Sequence, residues 1–551
     1  MTLNGFIPYD KRAARLYDKR RWWLGLTLGG MFDKVSDVYP TQEALVCGDK
    51  RYTYEQLRGC VDRMAFSLLE AGLRPGDRVL LQLPNWPEFV ISYFACHKAG
   101  LIIVLLTVNH TVREILHLAD LTEPKAWIAP AQYRKTDFHG RFEGVRQKYP
   151  DLKVIAVGEE VPTGCIRYDD LFNTGADVGE IRALLERVSP EPTDVCQILP
   201  SGGTTGLPKG APRTHSDYLC NVEYKSRAWH LNVTDTCLVA TTVGHNLALL
   251  VCVTGPIFHG AKVVMLDSTY PQDFCQIVQD EKVTCTGLVP TLMGRVASFD
   301  RLAEYDLSSL NRIYVGAAYS SPELVRQVEE KIGCRYINAF GMVEGPCSQT
   351  RPDAPMEMRC ATIGRPVCPY DEFVTLDLEG KRTAPGVEGE LAAKGPGIFT
   401  GYINNPNANK DAFTADGYFR TGDLAVIDKA GIIRITGRIK DIIIRGGENI
   451  AAQEVEELIS SHPLVETVSV VGMPHAELGE DVCAYIQPVP GATISHAEVI
   501  DHLQKVGASR LFFPARTEFV NQLPLTAAGK VDKKVLRADI AEKQRVEAEP
   551  R

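Results

Sequence analysis

The chain has 551 residues. That is too many for one hydrophobic core, since single cores stop growing at about 250–300 residues. Its composition, 45% hydrophobic and 23% charged, is that of an ordinary globular protein. A net charge of −9 argues against a nucleic-acid binder, so an anionic ligand must be held by local donors and not by the overall field.

Residues 20–32, with Trp22 and Trp23, read as an amphipathic opening segment packed on the body. Residues 44–47 and 51–54 are short β-like runs split by Gly48, Asp49 and Lys50, which predicts a hairpin. The spacing of Leu57, Val61, Ala65, Leu68 and Leu69 predicts a helix over 54–72, stopped by Gly72. Strands are predicted at 78–83, 99–108, 126–129, 154–157 and 195–199, with a helix at 88–99 before Gly100. After a helix at 216–229 come strands at 237–241, 262–266, 287–289, 312–315 and 336–339. This alternation predicts an α/β fold whose parallel sheets carry helices on their faces. Residues 386–401, rich in glycine and proline, predict a β-rich subdomain. From 455 an α+β tail begins: a helix to 461, strands at 465–471 and 482–487, a helix to 503 and a strand at 516–520. Residues 545–551 read as a frayed end. The pattern divides the chain into a large domain, 1–439, and a small mobile domain, 440–551.

The 15 cysteines stand singly, with no CxxC pair or zinc-like set, and read as reduced thiols of a cytoplasmic protein. Residues 1–23 lack the apolar stretch of a signal peptide, and the apolar run 99–108 is too short to span a bilayer. No membrane or nucleic-acid partner is expected.

The chemistry concentrates in SGGTTGLPKG, residues 201–210, directly after the predicted strand 195–199. Glycines let backbone N–H groups approach a polyanion, hydroxyls donate hydrogen bonds, and Lys209 adds a mobile positive charge. The Walker pattern is absent, because no Ser or Thr follows Lys209. Such a run alone is equally a flexible surface turn. Four further clusters accompany it: NAFGMVEG at 338–345, YFRTGD at 418–423, ITGRIKD at 435–441 and PLTAAGK at 524–530. Each is weak by itself. Their order and spacing together are specific.

The set resembles the adenylate-forming superfamily of acyl-CoA synthetases, peptide-synthetase adenylation domains and luciferases, over almost the whole chain. SGGTTGLPKGAPRTH, GHN, FGMVEG and LPLTAAGKVDKKVLR are most similar to stand-alone aryl-acid enzymes of the dihydroxybenzoate-AMP ligase type. The resemblance implies that ATP activates a carboxylate as acyl-AMP, with Mg²⁺, before a thiol takes the acyl group. Ser201, Gly202, Gly203, Thr204, Thr205 and Lys209 would then cradle the departing phosphates, and Glu344 would hold the Mg²⁺. Gly316, Ala317, Ala318, Asn338, Ala339, Phe340 and Gly341 would surround the adenine, with Phe340 against its face. Asp423 and Arg438 would meet the ribose, and Lys530 the carboxylate and α-phosphate oxygens. Lys440 corresponds to the pivot about which the small domain turns after adenylation, bringing in a loop whose Gly447 lines the thiol's path. Gly446-Gly447 as a mere tight turn stays open.

The acid pocket is expected to include His245, Asn246, Leu247, Leu250, Val251, Met342 and Cys347, beside Gly316 and Gly341. In the dihydroxybenzoate enzymes the counterpart of Asn246 contacts one ring hydroxyl, and a serine five residues later reads another. Here that second position is Val251, among Leu247, Leu249 and Leu250. A buried apolar site penalises a substrate hydroxyl, which favours benzoate or a cyclohexane- or cyclohexene-carboxylate. Asn246 leaves salicylate and anthranilate open. His245 is read equally as a gate or as a packed imidazole. The same apolar reading favours CoA as acceptor, with an aryl carrier protein as the alternative and a monomer or homodimer as the assembly. A silent nucleotide-binding homologue would be marked by loss of Lys530, Asp423 or Glu344, and all three are present.

Overall fold

The computed structural model describes residues 3–202, 207–318, 320–446, 448–475, 477–526 and 530–548. A seven-stranded sheet runs in the order Ile166–Arg167, Lys153–Val157, Ala126–Pro130, Arg78–Leu81, Ile102–Leu105, Val195–Ser201, Lys209–Thr214. All pairs are parallel except the last, a hairpin in which Ser201 faces Lys209. The two ends of the glycine-rich run, Ser201 and Lys209, are therefore paired with each other. The second strand was not anticipated, because its KGAPRT sequence carries little β signal.

A nine-stranded sheet places Arg335–Gly341, Arg312–Val315, Cys285–Leu288, Thr236–Val239 and Lys262–Met265 side by side and parallel. The predicted hairpin, Glu43–Cys47 with Lys50–Thr53, forms one edge of this sheet. The parallel strands are apolar and buried on both faces, as sheets covered by helices require. Between the sheets, the helices Pro87–Lys98 and His215–Ala228 are buried almost all round. Tyr54–Glu70 begins at a capping box between Thr53 and Gln56, and its Leu57, Val61, Ala65, Leu68 and Leu69 are buried.

The expected β-rich subdomain is a four-stranded antiparallel sheet of Glu372–Leu376, Glu388–Lys394, Phe419–Ile427 and Ile433–Arg438. A five-stranded sheet then starts at Ile442. Ala452–Ser460 and His496–Lys505 pack on one of its apolar clusters, and Lys533–Ala548 on another. That last helix corrects the frayed end expected from 545, since it continues to residue 548. The opening segment packs on the body as expected, with its helix starting only at Leu28. Helices Lys11–Lys19 and Leu28–Val38 leave Trp22 and Trp23 between them. Trp22 stacks on Tyr370 at 4.4 Å, while Trp23 donates to the Pro396 carbonyl at 2.9 Å.

All 15 cysteines are free thiols. Among the described residues no helix is long and apolar enough to cross a membrane.

Candidate active site

The end of the strand Val195–Ser201 and the turn after the strand Arg335–Gly341 meet at one carboxylate. Glu344 is almost fully buried, and its Oε1 accepts from Ser201 at 2.5 Å and from Tyr402 at 2.7 Å. Lys209 lies over the Tyr402 ring at 4.6 Å. The glycine loop and the FGMVEG turn, which the sequence leaves far apart, are thus joined directly. Tyr402 was missed because only the fold brings it here. Thr204, Thr205 and Gly203 lie outside the described residues; Gly202, the neighbour of Ser201, is exposed. His117 Nε2 donates to the Pro208 carbonyl at 3.0 Å and so anchors the far side of the loop.

The turn carrying Glu344 is fixed from beneath. Arg213, fully buried, pairs with Asp217 at 2.6 Å and donates to the carbonyls of Val343 at 2.8 Å and Gly397 at 2.9 Å. Gly345 adopts φ +118°, and an added Cβ would stand 2.1 Å from the Gly397 carbonyl oxygen. Only glycine fits there.

The nucleotide end is equally defined. Asp423 and Arg438 face each other across adjacent strands, with Asp423 Oδ1 at 2.7 Å from Arg438 Nε. Asp423 Oδ2 is buried with no hydrogen-bond partner. Such an atom is costly unless a ligand donates to it, and ribose hydroxyls have the donors required. Burial raises the Asp423 carboxyl above its ordinary range, opposed by Arg438, Lys530 and Lys440. Ala317 holds φ +72°, a strained backbone for a residue with a side chain, in the turn Gly316-Ala317-Ala318. Asn338 donates to the Thr362 carbonyl at 3.1 Å, while Phe340 packs beside Ile363 and Ile433. Ala339 and Gly341 belong to the same strand, Arg335–Gly341.

Lys530 comes from the small domain, in a turn closed by Thr526 N–H donating to the Lys530 carbonyl at 2.7 Å. Its ammonium makes no ion pair among the described residues, and its electrostatic neighbours are Arg438, Asp423, Lys440 and Glu344. Burial and then the cation of Arg438 push it down to about 8. If this amine must be charged to act, kcat/KM for adenylation falls as pH rises through about 8, since that ratio reports the free enzyme. The pH profile of acid-dependent pyrophosphate exchange measures this, and Lys530→Arg moves the descending limb upward.

Lys440 is exposed in the short turn Ile439–Asp441. Arg537 of the last helix clamps that turn by pairing with Asp441 at 2.6 Å and donating to the Lys440 carbonyl at 3.2 Å. Gly447 lies outside the described residues.

The region expected to receive the acid begins at the Gly244-His245-Asn246 turn. Asn85 holds it, accepting from Val243 N–H at 2.8 Å and donating to the Leu266 and Thr241 carbonyls at 2.9 and 3.0 Å. An added Cβ on Gly244 would meet the Leu106 carbonyl oxygen at 2.3 Å, so the turn can pass only as glycine. His245 Nδ1 accepts from Leu247 N–H at 3.3 Å. Burial first, then Lys530 and His110, holds the His245 imidazole down at about 4, so it is neutral. Asn246 Oδ1 accepts from Tyr218 at 2.9 Å, which commits its Nδ2 amide as a donor to whatever lies beside it.

Leu247 and Val251 both approach Gly287, at 3.6 and 3.0 Å from the site of an added Cβ. Leu250 is buried in the main core, within the wide helical turn Leu249–Thr254. Met342 is partly buried against the cluster of Ala211, Phe399 and Tyr402. Cys347 is buried and accepts from Lys225 at 3.6 Å. The sequence reading made this region apolar and overlooked Lys225, Tyr218 and Tyr314. Lys225 is buried, and its Nζ lies 4.9 Å from the Tyr314 ring and 3.3 Å from a methyl placed on Gly341.

Residues 32–403 match the AMP-binding enzyme family, and residues 454–530 match the AMP-binding enzyme C-terminal domain. The chain belongs to the AMP-binding enzyme family. It is 37% identical over 98% of both chains to a salicylyl-CoA synthase / salicylate adenylyltransferase of a Streptomyces species. It is 33% identical to a salicyl-AMP ligase / salicyl-S-ArCP synthetase of Mycobacterium tuberculosis, over 97% of this chain and 94% of that one. Among solved structures, the apo structure of MbtA from Mycobacterium smegmatis superposes with a TM-score of 0.73 and 31% identity, covering 97% and 98% of the two chains. The α/β architecture expected from the sequence is that of this AMP-binding family.

Proposed function

We propose that this AMP-binding enzyme adenylates an aromatic carboxylic acid with ATP and passes the acyl group to the phosphopantetheine thiol of an aryl carrier protein. The observation that carries adenylation is the convergence of Ser201, Glu344, Asp423 and Lys530, from four separate motifs, in one cleft. A carboxylate oxygen of the acid attacks the α-phosphorus, the bond to the bridging oxygen breaks, and pyrophosphate leaves. Lys530 meets the negative charge that builds on the acid and α-phosphate oxygens. Asp423 and Arg438 orient the ribose, while Ser201 and Lys209 meet the departing phosphates.

The Glu344 carboxylate fits a magnesium ion shared with those phosphates, because its two protein donors both use Oε1. No cluster of three or more His, Cys, Asp or Glu side chains forms a metal cage among the described residues. That is the donor set of an ion brought with its nucleotide, and Mg²⁺ would offset charge on the leaving group. Lys440 is the proposed hinge between domains 1–439 and 440–551, with the Arg537 clamp released when the small domain turns.

The reading of the carrier protein ahead of CoA is supported by the polar Tyr218 and Lys225 beside Asn246 and Cys347, and by the relative named a salicyl-S-ArCP synthetase. CoA is the second reading, favoured by the Streptomyces relative named as a CoA synthase. Incubation with ATP, Mg²⁺, salicylate and either a holo aryl carrier domain or CoA, followed by intact-mass analysis, separates them. The expected result is an acylated carrier; salicylyl-CoA formed while the carrier stays unloaded would contradict the proposed acceptor.

A further inference from the structure

Among the described residues the large domain contains two buried lysines, and their surroundings differ. Lys98 pairs with Asp33 at 2.6 Å and also with Asp62. This is the usual treatment of a buried cation, since an uncompensated one costs several kcal/mol. Lys225, 6% exposed, makes no ion pair among the described residues. Its neighbours are the Cys347 thiol at 3.6 Å and the Tyr314 ring at 4.9 Å, neither of which carries an opposing charge in its ordinary state. The ammonium lies 3.3 Å from the position an added Gly341 Cβ would take. Glycine at 341 therefore lets the ammonium come close to the backbone at the end of the strand that leads to Glu344.

Two donors lie at residues expected to line the acid pocket: the Asn246 amide, and the Lys225 ammonium beside Gly341 and Cys347. Tyr218 takes up one of the two lone pairs of the Asn246 oxygen, and the Lys225 ammonium has none to offer, so the pair presents mainly donors to an occupant. Val251 supplies no donor from its own helix.

We propose that Lys225 is the specificity-determining residue of the acid pocket, selecting ring acids that carry an anionic oxygen on the edge facing Gly341 and Cys347. The occupant supplies the counter-charge the protein withholds, as a phenolate or as a second carboxylate. This inference rests on the adenylation reading for its site. A charge-assisted N–H···O bond in a dry pocket is strong, and an acid without the oxygen leaves the ammonium unpaired. Unsubstituted benzoate is therefore a poor substrate.

The test measures acid-dependent pyrophosphate exchange for benzoate, the three monohydroxybenzoates, phthalate and isophthalate, in the wild type and in Lys225→Met. The wild type is expected to favour its best substituted acid over benzoate by about 100-fold or more in kcat/KM. Lys225→Met should reduce that ratio to within about tenfold, mainly by raising KM for the substituted acid. Which substituted acids respond separates phenolate from carboxylate. Because the substitution removes an unpaired buried charge, the variant should melt no lower than the wild type. Ultraviolet difference spectra supply a second readout: if the preferred acid is a hydroxybenzoate, its bound form at neutral pH shows the phenolate band in the wild type and the phenol band in the variant. A wild-type preference for benzoate, or a ratio unchanged by Lys225→Met, would overturn the proposal while leaving adenylation intact. A phenolate band without exchange for any acid would sustain Lys225 and sink the adenylation reading.

Discussion

Lys530→Ala is expected to lower kcat for acyl-AMP formation about 10²–10³-fold, the usual cost of losing one donor aimed at developing charge. The expectation follows from placement. Lys530 is held at a turn of the small domain, has no ion-pair partner among the described residues, and is pushed down to about 8 by burial and by Arg438. No ion pair among the described residues holds its charge, so the charge is available to the substrates. For the same reason its loss should leave the unfolding midpoint nearly unchanged, within about 0.5 kcal/mol. Single-turnover trapping of acyl-AMP, paired with a melting curve, separates a catalytic from a structural loss.

Asp217→Ala should act in the opposite way, through stability. It removes the carboxylate that pairs with fully buried Arg213 at 2.6 Å and accepts from Thr214 N–H at 2.9 Å as part of a helix capping box. Leaving that guanidinium unpaired costs about 3–5 kcal/mol. Arg213 also fixes the carbonyls of Val343 and Gly397, so loosening it should disorder the turn carrying Glu344. Urea unfolding is expected to show the loss directly, with exchange activity falling alongside. An unshifted midpoint would mean that the network beneath the turn contributes little.

These cases show what the sequence can and cannot disclose. Motifs such as SGGTTGLPKG and YFRTGD are legible as a set, because their order and spacing along the chain are specific where each alone is not. The parallel strands are legible as well, since burial on both faces forces continuous apolar runs such as Ile102–Leu105. The strand Lys209–Thr214 and the last helix lack such patterns and are held by long-range packing. Lys225 illustrates the limit most clearly. In VEYKSRA it reads as part of a solvated helix face, and only the enclosure of His215–Ala228 between sheets turns it inward. Tyr402 likewise gains meaning only from its 2.7 Å bond to Glu344, 58 residues away in sequence.

Radiolabelled pyrophosphate exchange with the intact chain, ATP and Mg²⁺ tests the central claim most directly. If the cleft activates a carboxylic acid, label enters ATP only when an aromatic acid is added, and Lys530→Ala suppresses it. Label entering ATP without any acid, or an exchange rate untouched by loss of Lys530, would contradict the account.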